Sequence, residues 1–227
     1  DQSSLLSMFP PDNSKKAYLE SHWSTFVTPR TIEDIASYNL THVRIPVGHW
    51  ILGSISTDEP YVNGEWPYLL DILSACRKHE IKVYIDLHTA PGSQNGFDNS
   101  GITLAKPTGV NWSGSPDNIN RTLSVIASLT KQIVDDDLSD VVTGFGVLNE
   151  PFKGENVPTV RKFYDDAFSI IRSSLPHATV YISDMFSARE LIFGRVPWAL
   201  YSSLSHAEAG GHRLGGRLVS HTRTTYN

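Results

Sequence analysis

Four apolar runs of this chain end on residues that can carry a proton, a charge or a polar ligand. The run THVRIPV (41–47) carries Arg44, and IKVYIDL (81–87) delivers Asp86 just before His88. The run VVTGFGVLN (141–149) leads from Asn149 into Glu150 and Pro151, and ATVYISD (178–184) ends on Asp184. A carboxyl that can protonate a leaving oxygen, an amide for a neighbouring hydroxyl, a cation and an imidazole form a set suited to sugar chemistry. Tyr and Trp supply faces that pack on the apolar side of a sugar ring. Each residue also has a plainer role open to it: a carboxylate after a strand caps the next helix, and Arg44 can pair with a structural acid. Their weight comes from convergence, because strand ends that share one rim place these side chains together.

Other chemistries lack their parts. The chain has no G-x-S-x-G elbow, no H-E-x-x-H, no C-x-x-C, and no phosphate-binding or dinucleotide glycine pattern. Its nine histidines are scattered without ligand spacing, so no metal is expected. A net charge of -5 makes a nucleic-acid partner unexpected. No apolar run is long enough for a membrane span, and the first residues lack the charged-then-apolar order of a signal peptide. The chain opens on Asp1, which reads as a processed or incomplete product. Cys76 is the only cysteine, which excludes an internal disulfide. Acceptor sequons at Asn39, Asn111 and Asn120 suit a secreted protein but recur by chance in a chain rich in Ser and Thr.

The four runs are short and β-branched, as strands covered on both faces should be. Amphipathic stretches over 61–79, 118–137 and 157–175 predict helices between them, and Thr28 followed by Pro29 starts another over 29–38. Strand alternating with helix predicts an α/β fold with a parallel sheet, either doubly wound or closed as a barrel.

The segment from 89 to 116 far exceeds an ordinary strand-to-helix connection. Phe97 and Trp112 stand in it among Asn, Asp and Gly, which suits an ordered loop lining a polar pocket, with a tolerated surface insertion as the alternative. The composition shifts near residue 188. The last 40 residues hold five of the eleven arginines and none of the eight lysines, with paired glycines at 210–211 and 215–216. Residues 1–187 therefore read as one domain, and 188–227 as an atypical, flexible or foreign tail.

HWSTFVTPRTIEDIASYNLTHVRIPVGHW (22–50), VYIDLHTAPGSQNGFDNSG (83–101), GFGVLNEP (144–151) and VYISDMF (180–186) resemble consecutive blocks of the fungal exo-β-1,3-glucanases of glycoside hydrolase family 5. The resemblance implies a (β/α)8 TIM-type barrel, here some four or five of its eight units and incomplete at both ends. It also implies a retaining attack on the ends of β-1,3-glucans or laminari-oligosaccharides without a cofactor, in a secreted or cell-wall setting. By that resemblance Glu150 is the general acid/base, and Asn149 binds the hydroxyl beside the anomeric carbon. Arg44 helps hold the nucleophile, His88 serves the same subsite, and Gln94, Asn95, Phe97 and Asp98 border the glucan site. His49 and Thr89 depart from the family, which usually has tyrosine and glycine there.

The retaining reaction needs a second carboxylate about 5 to 5.5 Å from the first. The family's late glutamate block does not occur in this sequence. After Glu150 only Glu155, Glu190 and Glu208 remain, and none follows an apolar strand run. The sequence therefore predicts a chain without turnover, or a non-catalytic glucan-binding or regulatory remnant. Its open sheet edges favour self-association.

Overall fold

The computed structural model describes residues 1–10, 14–105, 112–152 and 156–186, and the backbone of 218–221. Its elements run α1 (Gln2–Ser7), α2 (Ser14–Thr25), α3 (Pro29–Ser37), β1 (His42–Val47), α4 (Trp66–Lys78), β2 (Lys82–Leu87), α5 (Pro116–Asp135), β3 (Val142–Gly146), α6 (Val157–Ser174), β4 (Thr179–Ser183) and β5 (Leu218–His221). The strands form one sheet in the order β1-β2-β3-β4-β5, and every pairing is parallel. Sequential parallel neighbours joined by helices are the arrangement of a barrel wall; a doubly wound sheet would reverse its strand order.

The helices start where the sequence supplies start signals. Thr28 caps α3 with extended backbone, and its N–H donates to Thr31 Oγ1 at 3.2 Å. Ser115 and Asn156 cap α5 and α6, accepting from Asn118 N and Thr159 N, and each is followed within two residues by a proline, where the missing N–H costs nothing. One face of the sheet, with Val83, Ile85, Phe145, Val180 and Ile182, packs against Leu73, Ile126, Leu129, Phe163 and Ile171 of α4, α5 and α6.

The opposite face corrects one expectation. The strands are not apolar on both sides: Arg44, Tyr84, Asp86, Gly146 and Tyr181 alternate with the core residues and line a cavity. Register puts Arg44 beside Tyr84, Asp86 beside Gly146, and Gly146 beside Tyr181. The tail contributes β5, which pairs with β4 from Val180↔Leu218 to Ser183↔His221. The rest of the expected 188–227 tail lies outside the described residues. Among the described residues β1 has a strand neighbour on one side only.

Candidate active site

Asp86 is the centre of the polar network. It is 2% exposed, and its Oδ2 accepts from Arg44 Nη2 at 2.7 Å and stands 2.7 Å from His88 Nδ1. Its Oδ1 accepts from the Tyr84 hydroxyl at 3.1 Å. Arg44 donates onward to Asn149 Oδ1 at 2.9 Å, and Asn149 Nδ2 lies 3.4 Å from His88 Nε2. One buried carboxylate thus aligns a guanidinium and an imidazole, and both converge on the same amide. Burial of such a charge is tolerable because its lone pairs are used. A glycine at 146 makes room: a Cβ there would come within 2.5 Å of both Asp86 Oδ1 and Tyr84 Oη. The rings of Tyr84 and Tyr181 stack at 4.3 Å between centroids.

Asn149 and Glu150 follow β3. Asn149 N–H donates to Leu87 O at 2.9 Å, extending the parallel ladder past the strand. Glu150 then turns into left-handed backbone with φ 47°, uncommon for a residue with a side chain. The long loop after β2 holds this turn. Gln94 Nε2 donates to Asn149 O and His88 O at 2.9 Å each, Asn95 Nδ2 donates to Glu150 O at 3.1 Å, and Phe152 N–H donates to Gln94 O at 2.9 Å. Asn99 Nδ2 reaches the carboxylate itself, donating to Oε2 at 2.9 Å.

The structure thus brings Arg44, His88, Asn149 and Glu150 to one cavity of about 360 Å³, also lined by Asn99, Asp184 and Phe186. Gln94 and Asn95 are fully buried and do not border that cavity; they brace the backbone beneath it. Phe97 is 40% exposed with its ring edge-on to Phe152, and Asp98 opens a single 3-10 turn, its Oδ1 accepting from Asn99 N–H at 2.9 Å. Neither lines the cavity. Trp112 does not line it either. It is fully buried against Phe163 and donates its indole N–H to Thr122 Oγ1 at 3.0 Å, which anchors the loop to the core. The residue reading passed over Tyr84, Asn99, Gly146 and Tyr181; for Tyr84 the two-residue spacing to Asp86, hence a shared strand face, was the available signal.

Beneath the loop, His49 and Thr89 are hydrogen-bonded to each other. Thr89 Oγ1 accepts from the His49 backbone N–H at 2.9 Å and lies 2.8 Å from Nδ1. His49 Nε2 faces Glu59 at 3.8 Å. Burial lowers the His49 pKa, so the ring is neutral. Burial alone would raise Glu59, but His49, the bidentate Arg121 and the Ser56 N–H outweigh it and hold the carboxyl at about 2.

A parallel sheet whose carboxyl ends present a carboxylate, an amide, an arginine and a histidine in one cleft has its polar residues where barrel-type folds build their ligand sites. The family model for cellulase of glycosyl hydrolase family 5 matches residues 11–198, and the chain belongs to that family. It is 38% identical over 196 residues to a probable glucan 1,3-beta-glucosidase A of Aspergillus fumigatus, covering 84% of this chain and 44% of that protein. A glucan 1,3-beta-glucosidase of Blumeria graminis is 41% identical over 169 residues, covering 74% of this chain and 38% of that one. The chain thus spans less than half the length of these relatives. In fold it is similar to the rutinosidase of Aspergillus niger, with a TM-score of 0.74 at 21% identity, over 87% of this chain and 57% of that one.

Proposed function

We propose that this chain is the acid-bearing part of a glycosidase that removes glucose from the ends of β-1,3-glucans by double displacement. The observation that carries this reading is Glu150 at the end of β3, in one cavity with Asn149, Arg44 and His88; the names of the related proteins supply the substrate class. In the proposed reaction Glu150 protonates the leaving glycosidic oxygen and later takes a proton from the attacking water. Asn149 binds the hydroxyl next to the anomeric carbon, His88 serves the same subsite, and Arg44, fixed like His88 by Asp86, helps hold the nucleophile. In the sequence no glutamate after Glu150 follows an apolar strand run, and Glu155, Glu190 and Glu208 lie outside the described residues. We therefore expect this polypeptide to bind laminari-oligosaccharides without hydrolysing them. We also place it outside the cell, secreted or in the wall. The single-sided pairing of β1 supports association with another strand, which light scattering on the purified chain would read as a mass above the monomer; a monomer at every concentration would refute it.

Calorimetry with laminaritriose, together with glucose release from laminarin, tests the reading. Binding without release is expected. Release that vanishes in Glu150→Gln would overturn the expected inactivity and keep the acid; release that persists would remove Glu150 from the role. Absence of binding would sink the glucan assignment.

A further inference from the structure

The bond from Asn99 to Glu150 belongs to a directed chain that starts at a backbone N–H. Phe97 N–H donates to Asn95 Oδ1 at 2.9 Å. A peptide N–H can only donate, so the Asn95 amide has one allowed orientation, and its Nδ2 must point the other way. The two hydrogens of that nitrogen go to Glu150 O at 3.1 Å and Asn99 Oδ1 at 3.0 Å. With Asn99 Oδ1 accepting, Asn99 Nδ2 faces Glu150 Oε2 at 2.9 Å as an obligatory donor. Asn95 is fully buried, so water does not compete for its hydrogens.

We infer that Asn99, oriented by Asn95, fixes Oε1 as the proton-donating atom of Glu150. The inference rests on the acid/base role proposed above. An oxygen that receives an N–H cannot present a hydroxyl hydrogen along the same line, so the acid proton resides on Oε1. In the first step the Oε1–H bond breaks as the glycosidic oxygen gains the proton. The bond from the anomeric carbon to that oxygen breaks with its electron pair going to the oxygen. The anomeric carbon takes its new bond from the nucleophilic carboxylate that double displacement requires, a group to which no described residue of this chain is assigned. Glu150 is left as a carboxylate whose Oε2 keeps its bond to Asn99. Asn99 is thus a positioning residue: it selects the lone pair that faces the substrate, while Asn95 holds the left-handed turn at Glu150 to the same loop through Glu150 O.

The test uses the side-chain amide resonances of Asn99 in the uniformly 15N-labelled full chain, identified by their loss in Asn99→Asp. Glu150→Gln should leave the pair in place, because the new amide turns its carbonyl oxygen to Asn99 and its nitrogen to the proton-bearing side. Glu150→Ala should move the pair to the position of a free asparagine. Asn95→Asp should do the same, since it keeps the acceptor for Phe97 N–H and deletes the donor to Asn99. Backbone amides of β1–β4 at wild-type positions establish that each variant is folded, and Asn95→Ser replaces Asn95→Asp if that variant is not. A pair that moves in Glu150→Gln, or stays in Glu150→Ala or in the Asn95 variant, overturns the inference. Loss of laminaritriose binding in the unmutated chain would instead overturn the glucan reading and leave the amide result standing.

Discussion

Replacing Glu65 by glutamine should stabilise the chain above neutral pH and leave it almost unchanged near pH 4. Glu65 directly precedes α4 beside the indole of Trp50, at one end of an apolar groove lined by Trp23, Ile51, Tyr68 and Leu69. Among the described residues neither Glu65 Oε2 nor Trp50 Nε1, both buried, meets a hydrogen-bond partner. Burial pushes the carboxyl from its ordinary 4.5 up to about 7, against weaker pulls from its own backbone N–H and from the indole N–H of Trp50, which lies near the carboxyl but short of hydrogen-bond geometry. Between those values the folded chain holds a proton that the unfolded chain has lost, so stability falls as pH rises. The favourable contribution is complete below about 4.5 and gone above about 7. At 1.36 kcal/mol per pH unit the span amounts to about 3 kcal/mol, an upper value because water reaches part of the side chain. Urea unfolding of both proteins from about pH 4 to 8 reads it directly. The variant-minus-parent difference should grow steadily across that range, since every other titrating group cancels. A difference that stays flat between about pH 5 and 8 would show a normally titrating carboxyl and refute the reasoning.

Asp86→Asn should cost about 3 kcal/mol in urea unfolding, the low end for breaking a buried pair because the Arg44 side chain is 42% exposed and can be rehydrated. Laminaritriose affinity should fall with it by about tenfold or more, since Arg44 and His88 lose their common anchor; unchanged stability and binding would remove Asp86 from its central place. Gly146→Ala should destabilise by about 1–3 kcal/mol, because its Cβ would stand 2.5 Å from Asp86 Oδ1 and Tyr84 Oη. The same variant should weaken sugar binding without altering the helix signal in circular dichroism, and a neutral thermal midpoint would show that the site yields more easily than the geometry implies.

Strands and helices were legible where period and caps coincided. The expected strand 178–184 forms as Thr179–Ser183, and the expected helix 157–175 as Val157–Ser174. The helix expected from 61 begins only at Trp66, because Gly64, at φ 130°, stands outside helical backbone just before it. α2 carried no such signal: of its twelve residues only Leu19 is buried, so there is no apolar stripe to read. β5 is four residues long inside an arginine- and glycine-rich stretch, too short for alternation to show. Site residues at strand ends were legible for the same reason as the strands, since parity along β2 places Tyr84, Asp86 and His88 on one face. Loop side chains obey no period. Gln94 and Asn95 look by type like ligand-binding amides, yet buried carbonyls must first be satisfied, and both are consumed on those of Asn149 and Glu150.

That division of labour separates recognition from chemistry. Arg44 comes from β1, Asp86 and His88 from β2 and its end, and Asn149 from the end of β3, so three adjacent strands supply the whole anchored network. Among the described residues its geometry is fixed by hydrogen bonds inside that unit and by the helices behind it. A second carboxylate, by contrast, has to stand about 5 Å from Glu150, in a cavity to which the end of β4 contributes Ser183, Asp184 and Phe186. The proposed sugar subsite therefore rests on β1 to β3 and the proposed second carboxylate on other elements, so binding and turnover should respond to substitutions in different parts of the molecule.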